Sequence, residues 1–178
     1  MSVKMRIHGF DKLEYSTCGA DGGLGAVDTE LLAIVPDSTK YGIEKPEDIE
    51  IPIEGSDEPD IRDILRGGLK TVHIKSYDTA AANLVSFFGG SATEIAPFVY
   101  TAPIKSAKIF MSIQVTCKYV EGHATVLKIP KVLVLASLVA PISDKESGYI
   151  DLEFKVASPI SALGVALAPF TITNLVEV

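Results

Sequence analysis

One stretch constrains this chain more than any other: residues 69–90, LKTVHIKSYDTAAANLVSFFGG, which set a strand, a helix and a stop in direct succession. Val72 and Ile74 alternate with Thr71, His73 and Lys75, the period of two that turns apolar groups to one face of a half-buried strand and polar groups to the other. Asp78 or Thr79 can accept from the free N–H groups of a first helical turn, and Ala80, Ala81, Ala82 and Leu84 favour helix until Gly89 and Gly90 end it. The expected helix covers about residues 79–88. Asn83 and Ser86 are its clearly polar members, so Leu84, Val85, Phe87 and Phe88 spread over more than one side. A helix this short is not stable in isolation. It needs a sheet beneath it and further cover besides. The spacing of four between Leu84 and Phe88 directs that pair to the chain's own sheet and leaves Val85 or Phe87 for a neighbouring subunit.

The rest of the chain reads as strands. DIEIPIE, residues 48–54, alternates isoleucine with acids and Pro52, and the proline, which cannot donate to a ladder, puts it at an edge or at the end of its pairing. GSDEPD is a turn, residues 61–66 a short helix or irregular return, and 37–46 and 91–103 connecting loops. Residues 107–118 alternate again, with Ser112, Gln114 and Thr116 on a face expected to meet solvent. A hairpin turn over 120–123 leads to a strand over 123–129. Past Pro130 the alternation gives way to a continuous apolar run that includes Val132, Val134 and Leu138. Such a run is covered on both faces, by a second sheet or by another subunit, and self-association makes Val132, Val134 and Leu138 candidate interface residues alongside Val85 and Phe87. Tyr149, Asp151, Glu153 and Lys155 alternate with Ile150, Leu152, Phe154 and Val156, and a last strand covers 170–176. The fold class expected is mainly β: a β-sandwich or partly open β-barrel with one short flanking α-helix, in a single domain over 1–178. Residues 1–30 read as a loop or assembly arm. Its glycine-rich part, including Gly22, Gly23, Leu24 and Gly25, has little apolar area to hold it and is expected to order only on assembly, as a ring-stacking contact.

The formal net charge is −7, and it is uneven: residues 1–60 carry fourteen acids against five bases, the remainder nine acids against eleven bases. A chain of this sign does not grip phosphate backbones. Cys18 and Cys117 stand far apart with no partner at metal-ligand spacing, which reads as two free thiols and no metal site. The glycines lack the Gly-Lys-Ser/Thr ending or the preceding strand that a phosphate or dinucleotide loop requires, so no cofactor is implied. His8, His73 and His123 belong to no catalytic pattern, and acid pairs such as Asp57/Glu58 and Asp151/Glu153 fall in a turn and on a strand face. The reading is therefore not an enzyme. The N-terminus has no apolar run of a signal peptide, and the charge-free residues 156–176 are broken by Pro159, Gly164 and Pro169, so buried strands and turns are expected there and no membrane insertion.

Taken in order, DIEIPIEG, then LKTVHIKSYDTAAANLVSFFGG, two long strands, and VLASLVAPISDKESGYIDLEFKVASPI resemble the major tail tube protein of tailed bacteriophages over residues 34–160. The resemblance implies a subunit that closes into hexameric rings, the rings stacking into a tube whose lumen conducts DNA at ejection. It also implies a place in the virion after assembly in the host bacterial cytoplasm, and partners that are further copies and other tail proteins. Lys108 and Lys118 on one strand, and His73 and Lys75 on another, depart from a purely acidic lumen. The alternatives are the tube of a secretion or contractile injection machine, a neck or capsid-associated protein and, in a different class, a monomeric β-barrel that binds a small apolar ligand.

Overall fold

The computed structural model describes residues 9–51, 61–93, 96–97, 99–140 and 147–176. In chain order the strands are β1 (Phe10–Thr17), β2 (Thr29–Leu31), β3 (Lys40–Ile43), β4 (Glu47–Ile51), β5 (Ile61–Arg66) and β6 (Lys70–Ser76). The helix α1 (Ala81–Phe88) follows, then β7 (Ser91–Thr93), β8 (Val99–Thr101), β9 (Ile109–Cys117), β10 (His123–Val139), β11 (Tyr149–Val156) and β12 (Thr171–Val176). One antiparallel sheet runs β2-β1-β9-β10-β11-β6-β3, with β12 also paired to β10; β4 with β5 and β7 with β8 form separate two-stranded ribbons. Mainly β with one short helix is the class the sequence announces.

β10 is the spine. Its first half, Ala124 to Lys128, pairs with β12, and from Val132 onward it pairs with β11. The change of partner comes at a register shift against β9 between Ile129 and Val132, across Pro130, whose missing N–H suits a break in a ladder. β9 follows β10 on both sides of the bulge, so the sheet bends there without dividing. The two flanks then approach each other. After β2 the chain crosses to the far side, where Ile34 bridges Ser76, the Val35 N–H donates to the Lys75 carbonyl at 2.8 Å and the Ser76 hydroxyl donates to the Leu32 carbonyl at 2.6 Å. The result is a strongly curled, partly open sheet.

α1 fills the curl. Phe87 is 2% exposed, its ring centroid 4.9 Å from Tyr15 on β1 and 6.4 Å from Phe154 on β11. Those strands are separated in the sheet by β9 and β10, so one ring touches both only because the sheet wraps around it. Asn83, four residues earlier on the same helix face, is also buried, and its Oδ1 accepts the Tyr15 hydroxyl at 2.6 Å. Leu84 and Phe88 pack on the core edge and Val85 is half-buried. No side chain caps the helix N-terminus; the Asp78 carboxylate receives the Ala80 N–H at 3.2 Å just outside it. At the other end Gly89 and Gly90 take φ of 76° and 89°, the left-handed region where a Cβ is costly, and the helix stops there.

Several expectations are corrected. Phe87 lies in the chain's own core and not at a subunit interface, because the inner helix face is Asn83, Leu84, Phe87 and Phe88. Val132 (0% exposed) and Val134 (6%) are core residues as well. The run after Pro130 alternates only as far as Ala136, with Val132 and Val134 buried and Leu135 exposed; beyond it Leu138 and Val139 are both exposed. Residues 61–66 form a strand, 37–46 contain β3, and 91–103 contain β7 and β8. Phe10–Thr17, read as part of an arm, is β1 inside the main sheet. Pro52, the turn over 55–60 and His8 lie outside the described residues.

This packing makes Phe87 a test of the fold. Phe87→Ala is expected to lower unfolding stability by about 3–5 kcal/mol, the cost of a large cavity in a core, whereas Val85→Ala, at a half-buried position, is expected to cost under about 1 kcal/mol. Chemical denaturation followed by circular dichroism measures both.

Candidate functional site

Among the described residues no three His, Cys, Asp or Glu side chains converge as a metal site would require. His73 and His123 are exposed, and the Asp151 and Glu153 carboxylates lie on the outer face of β11, each 3.7 Å from a lysine, Lys75 and Lys155 respectively. The Lys75 ammonium also sits 5.1 Å from the Tyr149 ring centroid. This outer face of β6 and β11 is mixed in sign and wet.

Two other regions stand out. The first is a groove of about 690 Å³ at the end of the sheet where β1 begins and β9 ends. Leu31, Leu32, Ile34, Val115, Leu127 and Ile172 supply its apolar wall, and Asp11, Glu30, Asp37 and Lys118 stand around it. The volume is that of a small-molecule site. Thr39 and Tyr41 also line it, and both hydroxyl oxygens are buried without a protein hydrogen-bond partner. The Tyr41 ring meets Phe170 edge-on at 6.0 Å.

The second region is a short finger over residues 159–167. Ile160 bridges Ala166, the Leu167 N–H donates to the Pro159 carbonyl at 2.9 Å, the Ser161 N–H to the Val165 carbonyl at 2.8 Å and the Gly164 N–H to the Ser161 carbonyl at 2.9 Å. These bonds fix the backbone. They leave apolar side chains outside: Leu163 is 91% exposed, with Ile160 and Val165 also exposed. The expectation of buried structure in this charge-free stretch is thus corrected for the finger, though β12 behind it is paired as expected. Among the described residues no helix is long and apolar enough to cross a membrane.

The finger rests on the glycine-rich loop. A Cβ at Gly22, where φ is +77°, would collide with the Ile160 carbonyl, so a glycine is needed for the two segments to touch. The loop is also tied to the sheet. Gly22 N–H donates to Gly19 O at 3.1 Å, Gly23 N–H to Asp21 Oδ1 at 2.9 Å, and Gly25 N–H to Ser112 Oγ at 2.9 Å. The Ser112 hydroxyl donates in turn to the Pro130 carbonyl at the β10 bulge, 2.6 Å away. The loop that includes Leu24 is therefore seated within one subunit by hydrogen bonds, where low apolar content had suggested order on assembly alone. Ser112 and Thr116, expected to face solvent, are buried. Beside the loop, burial pushes the Cys18 thiol up despite the Lys131 ammonium nearby, and neither Cys18 nor Cys117 is in a disulfide.

Of the residues singled out from sequence, Leu138 (48% exposed) is on the surface together with Leu135 and Val139 on the outer half of β10. The finger and the groove were missed. Hydropathy marks both as apolar, and apolar residues normally read as core.

The two tyrosines make opposite predictions. Tyr15 donates to Asn83, so Tyr15→Phe is expected to cost about 1–2 kcal/mol by leaving a buried acceptor unpaired. Tyr41→Phe removes a hydroxyl with no protein partner and is expected to be neutral or to stabilise by up to about 1 kcal/mol. Burial raises the Tyr15 hydroxyl above its ordinary 10.0, with Asp78 adding to the rise and Ser86 opposing it. The folded state thus holds this proton more tightly than the unfolded chain: the stability it brings is complete below pH 10.0 and is lost as pH climbs through the raised value. Denaturation curves at neutral and alkaline pH measure all three effects. Compared with protein-family models and with curated proteins, the chain matches none.

Proposed function

We propose that the chain is a self-assembling structural subunit of the tail-tube kind, which closes into rings that stack and conduct DNA through their lumen. The observation that carries the proposal is where apolar surface is left open on an otherwise well-formed core. Leu135 and Val139 share one face of the second half of β10, Leu138 lies exposed on the opposite face, and Ile160, Leu163 and Val165 stand on the finger. Exposed groups of this kind, on ordered backbone, mark surfaces made to be covered. The order of elements adds support, since the tail-tube resemblance implies a β-sandwich or incomplete barrel flanked by one helix, and the chain forms a curled antiparallel sheet with one short helix. The outer face of β6 and β11 suits passage of DNA, because Lys75 and Lys155 each have a carboxylate at 3.7 Å and offer little free positive charge to phosphate. A tube of an injection machine, or a neck or capsid-associated role, would rest on the same self-association.

A second reading is favoured by the groove: a monomeric barrel whose 690 Å³ apolar site, with the Tyr41 hydroxyl beside it, takes a small apolar ligand carrying an acceptor.

Light scattering and negative-stain microscopy over a concentration series separate the two. The proposed function predicts rings or tubes that grow with concentration; a monomer throughout, binding an apolar dye with one-to-one stoichiometry, contradicts it and supports the ligand reading. Assembled particles are further expected to bind duplex DNA weakly and only at low salt, since a net −7 per subunit is multiplied around a ring. Tight binding at physiological salt, measured by gel shift, contradicts a conducting lumen.

A further inference from the structure

We infer that the finger of one subunit seats in the groove of a second copy, making a head-to-tail contact along the assembly. The inference rests on the self-assembly proposed above and names the surfaces that carry it.

The geometry of a single subunit leaves both halves of such a contact open. Leu163 at the finger is 91% exposed, so the finger does not lie in its own groove. Leu32, which lines the groove, is 57% exposed. The finger base lies against the glycine loop that follows Thr17, and the groove begins at Gly9 and Phe10. None of residues 159–167 lines the groove, whose wall the chain re-enters only at Ile172, five residues after Leu167, so finger and groove are two different patches of the surface. A contact between two different patches of one surface is heterologous: it propagates from copy to copy and does not stop at a dimer.

Charge selects the occupant. The groove is bordered by Asp11, Glu30 and Asp37 against Lys118, and the chain as a whole is −7, so most of its surface is repelled from that rim. Residues 156–176 carry no Asp, Glu, Lys or Arg and can approach it freely. The finger is also pre-shaped by its own hydrogen bonds, including Val165 N–H to Ser161 Oγ at 3.1 Å, so little conformational freedom is lost when it docks. A finger this short buries much less than the roughly 800 Å² per partner of a standard stable interface. Single contacts are accordingly weak, and they hold when several fingers of one ring engage the next ring together.

The test is a charge exchange in the full chain, read by sedimentation of assemblies, with circular dichroism melts as the check on folding. Leu163→Glu and Leu32→Lys, both at exposed positions, are each expected to melt like the wild type and to reduce the sedimenting fraction at least tenfold. The double variant Leu163→Glu/Leu32→Lys is expected to restore at least half of it through the new ion pair across the contact. Either single variant sedimenting like the wild type overturns the inference while leaving self-assembly standing, and so do two disabled single variants with no recovery in the double. A wild type that stays monomeric at every concentration overturns both.

Discussion

The ring of Phe87, held between Tyr15 and Phe154, is the contact on which the rest of this structure depends. A single antiparallel sheet has two edges and an apolar face that one short helix cannot cover if the sheet stays flat. Curling resolves both problems. The sheet turns its apolar face inward around the helix, and the bulge beside Pro130 gives β10 the bend at which it exchanges β12 for β11. The edges are then linked by the segment after β2, through Ile34, Val35 and Leu32 against β6. The buried Asn83 belongs to the same device. It would cost free energy in an apolar interior without a partner, and the Tyr15 hydroxyl supplies one while fixing the rotation of the helix.

A second polar element holds the other side. Ser112 accepts from Gly25 and donates to Pro130, so one fully buried hydroxyl joins the glycine loop to the bulge. The glycine loop then supports the finger through the close approach of Gly22 to Ile160. The outward apolar side chains of the finger thus stand on a chain of contacts that leads back to the central strand.

How much of this was legible in the sequence follows from what periodicity can report. Where one face is apolar and the other polar, as in β6 and β11, the strand and its inward residues were readable, and Val72, Ile74, Ile150, Leu152 and Phe154 are all buried. The double glycine after α1 was readable for the same kind of local reason. Where both faces are apolar, the pattern marks burial without direction. This is why Phe87, Val132 and Val134 were assigned outward while Asn83 was counted with the polar side: the partner that draws Asn83 inward is Tyr15, 68 residues away. Ser112 was misread in the same way, its partners lying 87 and 18 residues off. The finger escaped notice because composition cannot separate an apolar turn that is buried from one that is displayed.

The proposed function rests on that display. Transfer of an exposed apolar side chain from water is worth about 25 cal/mol per Å², so a folded chain that orders Leu163 in solvent forgoes stabilisation that a neighbouring copy can supply. A three-dimensional reconstruction of the assembled particle tests this most directly. The account predicts a stacked-ring tube in which residues 159–167 of each subunit fill the groove beside Leu32 of a subunit in the adjoining ring; a particle that leaves Leu163 in solvent, or a preparation that yields no particle, would contradict it.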